Sequence, residues 1–404
     1  MNFYYSSWGI QPFYNLIRLA MLSKQNVKFY VDNDREFQNS LNVEKFLDFL
    51  NNKRKTNNTT QNTIDILKES SEYDYYEITD KYAKENKDKK INVFLNSDHI
   101  TNHIWSKYYD SLTKLSENKN VNLIAIEDSD LLGDFFYDSF WNTEEFKDLW
   151  FDKEKNEWMI PANGRISRQN QYLLANTIDN LKLFFSSEIL STKLINLGFK
   201  NVYSFFNDEN KTLKDIIFSE RDNQKNKPKR LFSYWPEIIG LDWKKEKSIV
   251  DKVKQTKNKP TLIVLGTSSA KNDINNLDII VKKYSETYSI FYKGHPGSNY
   301  ISRNIELRFR DGEKNLVNVL ESQIQSEELT TNHATEENGL YFDKWIGLDS
   351  ISSALYVIDN NKNTIEDLLA VYDLKKGELI FQAENKEEFD DSIKLLLKKL
   401  KENK

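Results

Sequence analysis

Short apolar runs alternate with longer amphipathic stretches through most of the chain. Asn2 to Tyr5 reads as a strand, and Pro12 to Ser23 as a helix with Leu16, Ile17, Leu19, Ala20 and Leu22 inward. Val27 to Val31 reads as the next strand. Strand, loop, helix and strand are the opening of a parallel α/β layer. Val43 to Leu50 is helical, Ile64 to Leu67 is apolar, and Glu72 to Asn86 has weak helical character. Two strands follow, Ile91 to Leu95 and Val121 to Ile126, with a helix over Ile104 to Leu115 between them. That is a βαβ unit of the expected size. Arg168 to Phe185 reads as a long helix with Tyr172, Leu173, Leu174, Ile178, Leu181 and Leu183 as core positions.

The polar run Ser219 to Arg230 is the best candidate for a domain junction. The expected division is residues 1–230, residues 231–385 and a terminal amphipathic helix over 386–404. The second part repeats the α/β logic. Thr261 to Leu265 is a near-continuous apolar strand, as expected when both sheet faces are covered. Asn272 to Tyr284 is a helix with Ile274, Leu277, Ile280 and Val281 inward. Further strands are read at Tyr288 to Tyr292, Leu316 to Leu320, Trp345 to Leu348 and Glu378 to Gln382. Phe389, Ile393, Leu396, Leu397 and Leu400 line one face of the last helix. Its Lys394, Lys398, Lys399 and Lys401 leave peripheral contact with an anionic membrane open beside simple packing on its own domain.

The strand ends carry the candidate chemistry, because ligands of open α/β sheets sit outside the carboxyl ends of the strands. The strand ending at Tyr292 stops at Lys293-Gly294-His295-Pro296-Gly297, a cation and an imidazole among glycines. Lys293 and His295 suit a phosphate, and the two glycines allow close approach of the backbone. The alternative is a plain turn with a surface lysine. The strand ending at Leu265 runs into Gly266-Thr267-Ser268-Ser269, a small-residue loop suited to a phosphate or nucleotide. In the first half, Asn96 and His99 follow one strand, and Glu127 and Asp128 follow the next. A carboxylate at that edge suits a general base acting on a hydroxyl nucleophile; capping of the following segment is the open alternative. Ser326 is placed to cap a helix that carries Glu327 in its first turn. Ser352 and Ser353 open a late helix, where free N–H groups and hydroxyls hold phosphate, or where one serine is an ordinary cap.

Bulk properties narrow the classes. A chain of 404 residues is long enough for two domains. A net charge of −5 argues against a dedicated nucleic-acid binder. The absence of cysteine rules out disulfides, thiolate nucleophiles and cysteine metal sites. No run of about 18 apolar residues is present, and the first residues lack a signal-peptide pattern. A cytoplasmic protein is expected, with a place at the inner face of the membrane left open. The wealth of Asn and Lys reads as genome composition more than as function.

Taken in order, these signals resemble the bacterial sialyltransferases with an Asp-Asp/Glu-Gly motif, a Lys-Gly-His-Pro motif and a Ser-Ser motif. Lys293 to Pro296 is the specific match; Glu127-Asp128, Leu95-Asn96 with His99, Leu265-Gly266-Thr267, Ser326-Glu327 and Ser352-Ser353 support it. The resemblance implies a GT-B α/β fold, two Rossmann-like domains facing a central cleft. It implies inverting transfer of sialic acid from CMP-sialic acid to a galactose-type hydroxyl of a surface glycan, without metal or cofactor. Glu127 or Asp128 would be the base and His295 would act on the CMP phosphate, which Ser352 and Ser353 also bind. Glu327 would hold the ribose, and Lys293, Gly294 and Pro296 would shape the cytidine pocket. His99 would lie near the acceptor or the donor carboxylate. The chain departs from the family pattern at Glu127, one methylene longer than the usual Asp, and at Ser129, in place of glycine. A related GT-B enzyme using a UDP sugar, and a non-catalytic nucleotide- or sugar-binding protein, are the alternatives.

Overall fold

Parallel strands buried on both faces need apolar residues at nearly every position, and Thr261–Leu265, buried at all five positions, is such a strand. A computed structural model describes residues 1–6, 10–23, 25–31, 40–52, 62–66, 74–96, 107–126, 151–152, 154, 157–158, 178, 180–185, 195, 199–204, 237–240, 243–267, 269–295, 299–311, 314–320, 342–348, 368–373 and 378–382. They fall into two compact units that divide between Gly240 and Leu241.

The first unit runs β1 (Asn2–Ser6), α1 (Ile10–Leu22), β2 (Val27–Val31), α2 (Val43–Asn52), β3 (Thr63–Ile66), α3 (Asp74–Glu85), β4 (Ile91–Asn96), α4 (Lys107–Ser116) and β5 (Val121–Ile126). The two-residue strands β6 (Phe151–Asp152) and β7 (Glu157–Trp158), then β8 (Leu181–Phe185) and β9 (Val202–Ser204), follow. Its main sheet has the order β3-β2-β1-β4-β5-β8-β9, parallel throughout. This is the doubly wound arrangement, with its switch point between β1 and β4.

One expectation fails here. Leu181 to Phe185 is the strand β8, not part of a helix. Leu181, Leu183 and Phe185 are buried while Lys182 and Phe184 are half-buried, which is a period of two. Leu181 pairs with Leu123 of β5, so a partner distant in sequence decides between strand and helix.

Aromatic residues bind the strands together. Tyr4 lies between its register partners, stacked on Phe29 at 5.5 Å and on Phe94 at 4.7 Å. Tyr5 points to the other face, where it meets Tyr30, Tyr75 and Tyr76 and shares a short hydrogen bond with Thr79. At the amino ends of β1, β4 and β5, the amides of Asn2, Asn92 and Asn122 form a ladder at 3.0 and 3.1 Å. Asn120 donates to the carbonyls of Ala83, Asn86 and Lys89. Asn180 donates to those of Ser116 and Val121. These asparagines tie helix ends and turns to the starts of the strands, so their abundance has a structural use that composition alone did not show.

The phenols of this unit predict its alkaline behaviour. Burial holds those of Tyr5 and Tyr14 well above the usual value. Burial, and then the negative charge of Asp65, push Tyr30 up to about 12. An unfolded phenol ionises near pH ~10. Above that pH the unfolded chain holds fewer protons than the folded one, so stability that is complete below it falls as pH rises. The slope is about 1.4 kcal/mol per pH unit for each protected phenol. The second unit has one such phenol among its described residues, Tyr292. Urea unfolding followed by peptide-resolved hydrogen exchange between pH 10 and about 12 should therefore show the first unit weakening more steeply than the second. Equal slopes would refute the assignment.

The second unit runs α5 (Trp243–Lys257), β10 (Thr261–Leu265), α6 (Ala270–Tyr284), β11 (Ser289–Lys293), α7 (Asn299–Arg308), β12 (Arg310–Asp311), β13 (Lys314–Asn315), β14 (Val317–Val319), β15 (Lys344–Leu348), β16 (Leu368–Asp373) and β17 (Glu378–Gln382). Its sheet order is β14-β11-β10-β15-β16-β17. The first five strands are parallel and β17 is antiparallel. The doubly wound order recurs, with the switch point between β10 and β15. Leu262, Val264, Leu277, Ile280, Ile290, Tyr292, Ile301, Ile305 and Ile346 are in its core. The helices α5 and α7 and the strand β16 are not expected from the sequence pattern. In α7 the buried positions are Ile301 and Ile305, while Tyr300 and Leu307 are exposed, which blurs the apolar stripe. The terminal helix expected over 386–404 lies outside the described residues.

Candidate active site

The described chemistry is at the carboxyl ends of β10, β11 and β15. Leu265 pairs with Lys293 on one side and with Gly347 on the other, so three adjacent strands release their loops side by side. The Gly266 N–H continues the ladder by donating to the Lys293 carbonyl at 2.8 Å. The Leu320 N–H donates to the Tyr292 carbonyl at 2.9 Å.

Tyr292 and Asp273 organise this edge, and neither stands out in the sequence. Tyr292 is fully buried and its hydroxyl donates to Asp273 Oδ2 at 2.5 Å. Burial first, then the adjacent Asp273 charge and their hydrogen bond, hold the phenol far above its usual range, so it stays a donor. Asp273 is in the first turn of α6 and is fully buried. It also accepts the Thr267 N–H at 2.9 Å and the Thr267 hydroxyl at 2.7 Å. The Ser269 N–H donates to Thr267 Oγ1 at 3.0 Å. The one available sequence signal was an acid in the first turn after a small-residue loop, and that is common at helix starts.

The ring of Tyr292 also explains two glycines. A Cβ on Gly266 would lie 2.3 Å from the Tyr292 hydroxyl oxygen. A Cβ on Gly294 would lie 2.7 Å from Ser302 Oγ and 3.3 Å from the Tyr292 ring. Close approach was expected toward a ligand; within this structure the approaching group is a side chain of the protein.

Of the predicted donor-side residues, Gly266, Thr267, Lys293, Gly294 and His295 are brought together at this edge. Lys293 is 2% exposed, not a surface lysine. It falls on the sheet face opposite Tyr292, as alternation along β11 requires. His295 is exposed. Pro296, Glu327, Ser352 and Ser353 lie outside the described residues.

In the first unit Asn96 ends β4 and is fully buried. It pairs with Ile126, the last residue of β5, and Glu127 and Asp128 follow Ile126 directly. Those two residues and His99 lie outside the described residues. The carboxyl end of β5, at Ile126, lies beside Asn96, one strand from the switch point.

No protein-family model and no curated protein matches the chain. Solved structures do. An alpha/beta-galactoside alpha-2,3-sialyltransferase from the luminous marine bacterium Photobacterium phosphoreum matches with a TM-score of 0.54 and 14% identity, over 88% of each chain. A UDP-GlcNAc 2-epimerase from Methanocaldococcus jannaschii matches with a TM-score of 0.42 and 12% identity, over 98% of this chain and 92% of its own. UGT73P12 of Glycyrrhiza uralensis, complexed with glycyrrhetinic acid 3-O-monoglucuronide, matches with a TM-score of 0.47 and 8% identity, over 98% of this chain and 87% of its own. The first of these and the paired doubly wound sheets establish the fold class as GT-B, an α/β fold of two Rossmann-like units. No helix among the described residues is long and apolar enough to cross a membrane.

Proposed function

We propose that the protein is an inverting glycosyltransferase that moves sialic acid from CMP-sialic acid to a galactose-type hydroxyl of a surface glycan. The observation that carries this reading is the convergence at one edge of Gly266-Thr267 and Lys293-Gly294-His295, from the adjacent strands β10 and β11, the first of which borders the switch point. Lys-Gly-His-Pro is the most specific of the motifs shared with the bacterial sialyltransferases. The GT-B fold of a galactoside sialyltransferase supports the same reading.

Glu127 takes the proton of the acceptor hydroxyl, with Asp128 as its neighbour and alternative. The acceptor oxygen then forms its bond to the anomeric carbon while the bond from that carbon to the phosphate oxygen breaks. Negative charge grows on the departing CMP, and His295 and the Ser352–Ser353 hydroxyls donate to it. Lys293, Gly294 and Pro296 shape the cytidine pocket, Glu327 holds the ribose, and Asn96 and His99 face the acceptor. These steps need no metal.

A thermal-shift panel of CMP, UDP and GDP tests the donor. CMP is expected to stabilise the protein selectively. By linkage, a ligand at about 100 times its Kd adds about 2.7 kcal/mol, a shift that is easily read. Selective stabilisation by UDP would replace the donor with a UDP sugar. CMP binding without CMP release from CMP-sialic acid across an acceptor array would make the protein a binding module.

A further inference from the structure

One side chain touches both loops of this edge. A Cβ on Gly266, the first residue after β10, would lie 2.5 and 2.6 Å from two ring carbons of Tyr292; a Cβ on Gly294, the first after β11, would lie 3.3 Å from a third. The two exits are adjacent because Leu265 and Lys293 are register partners. The phenol then reaches the first turn of α6, where it donates to Asp273 Oδ2 at 2.5 Å. Asp273 also accepts the Thr267 N–H and hydroxyl at 2.9 and 2.7 Å. A continuous line of contacts therefore runs from Gly294 through the phenol and the carboxylate to Thr267.

Packing alone does not account for a tyrosine at this position. Phenylalanine would fill the same space, and a buried hydroxyl costs free energy unless it is bonded. The hydroxyl has its use in the bond to Asp273. Gly294 has no side chain with which to hold its own loop. Ser302 Oγ of α7 packs against it but is buried without a hydrogen-bond partner. Helix α7 thus contributes packing at Gly294, and the directional restraint comes through the phenol.

We propose that Tyr292 is a positioning residue: tied to Asp273, it fixes the Lys293-Gly294-His295 backbone against the β10–α6 loop and so aims the His295 imidazole at the departing phosphate. This rests on the nucleotide-sugar reading above and adds the device that holds its imidazole in place. Tyr292 touches no reacting atom in this scheme; it acts through His295. Without the bond to Asp273 the ring keeps its slot but loses its fixed orientation, and the loop that rests on it shifts.

The test is a double-mutant cycle of wild type, Tyr292→Phe, His295→Ala and the pair, read as steady-state CMP release from CMP-sialic acid with a galactose-ended acceptor, with a thermal melt of each protein. A misplacement of about 1 Å costs on the order of 10²-fold in rate, so loss of this one bond should lower kcat about tenfold while donor KM moves less than about twofold. In the His295→Ala background the same change should alter kcat less than about twofold, because a residue acting through the imidazole is silent once the imidazole is gone. A merely structural phenol would lower kcat by the same factor in both backgrounds, and that result would overturn the proposal. Asp273→Asn removes the charge that holds the phenol and should repeat the pattern, so the cycle can be run with it if Tyr292→Phe does not fold. A large loss in His295→Ala with kcat of Tyr292→Phe within about twofold of wild type would end the positioning role and leave the mechanism standing. No loss in His295→Ala, or no turnover by wild type, would end both.

Discussion

His295→Ala should lower kcat for sugar transfer by about 10²–10³-fold, the usual loss when one donor to a developing negative charge is removed. The imidazole follows a strand end beside Gly266 and, on the proposed mechanism, meets the phosphate only as it departs. KM for the donor should therefore change much less than kcat. His295 is exposed, and unchanged melting of the variant would assign a loss of activity to the chemistry rather than to unfolding. Steady-state kinetics with a thermal melt on the same preparation decide it. A kcat within twofold of wild type would remove His295 from the mechanism.

Glu127→Gln should cost about 10²–10⁴-fold in kcat, the range attributed to a positioned general base. The replacement keeps size and polarity and removes only the ability to take a proton. Asp128→Asn is the matched control and should cost far less. The pH profile separates a base from a positioning group: in wild type, kcat/KM should fall on the acid side as the carboxylate is protonated, and Glu127→Gln should lose that limb. If Asp128→Asn shows the large loss instead, the two carboxylates exchange roles. If neither variant loses activity, the acceptor is deprotonated by another group.

Much of the fold was legible because its signals are local. The strands at Asn2–Ser6, Val27–Val31, Ile91–Asn96, Val121–Ile126, Thr261–Leu265 and Ser289–Lys293 are five- or six-residue apolar segments, each bounded by polar or glycine-rich turns. Such runs need only their own residues to be read. Leu181 to Phe185 was misread because Leu181 and Leu183 also fit a helical stripe begun further back. Only pairing with Leu123 and Ala125 selects the period of two. In α7, two buried isoleucines among exposed apolar neighbours made too thin a stripe to distinguish from loop.

The candidate site divides in the same way. Lys293, Gly294, His295, Gly266 and Thr267 were visible as departures from an apolar run. The adjacency of their loops follows from strand order, which the alternation of strands and helices suggests but does not settle. Asp273 and Tyr292 were invisible. One read as an unremarkable acid in a helix and the other as another apolar strand residue, and they meet across 19 positions of sequence.

Sequence alone determined that this is a two-part α/β protein with cation, imidazole and carboxylates at strand ends, because periodicity and turn chemistry act over a few residues. Only the tertiary structure decided that both sheets take the doubly wound order, that two glycines make room for a tyrosine ring, and that a buried aspartate uses the loop's own donors. Those features depend on contacts between distant residues, and the energy of a buried hydrogen bond is set by where its partner lies, not by which residues stand beside it in the chain.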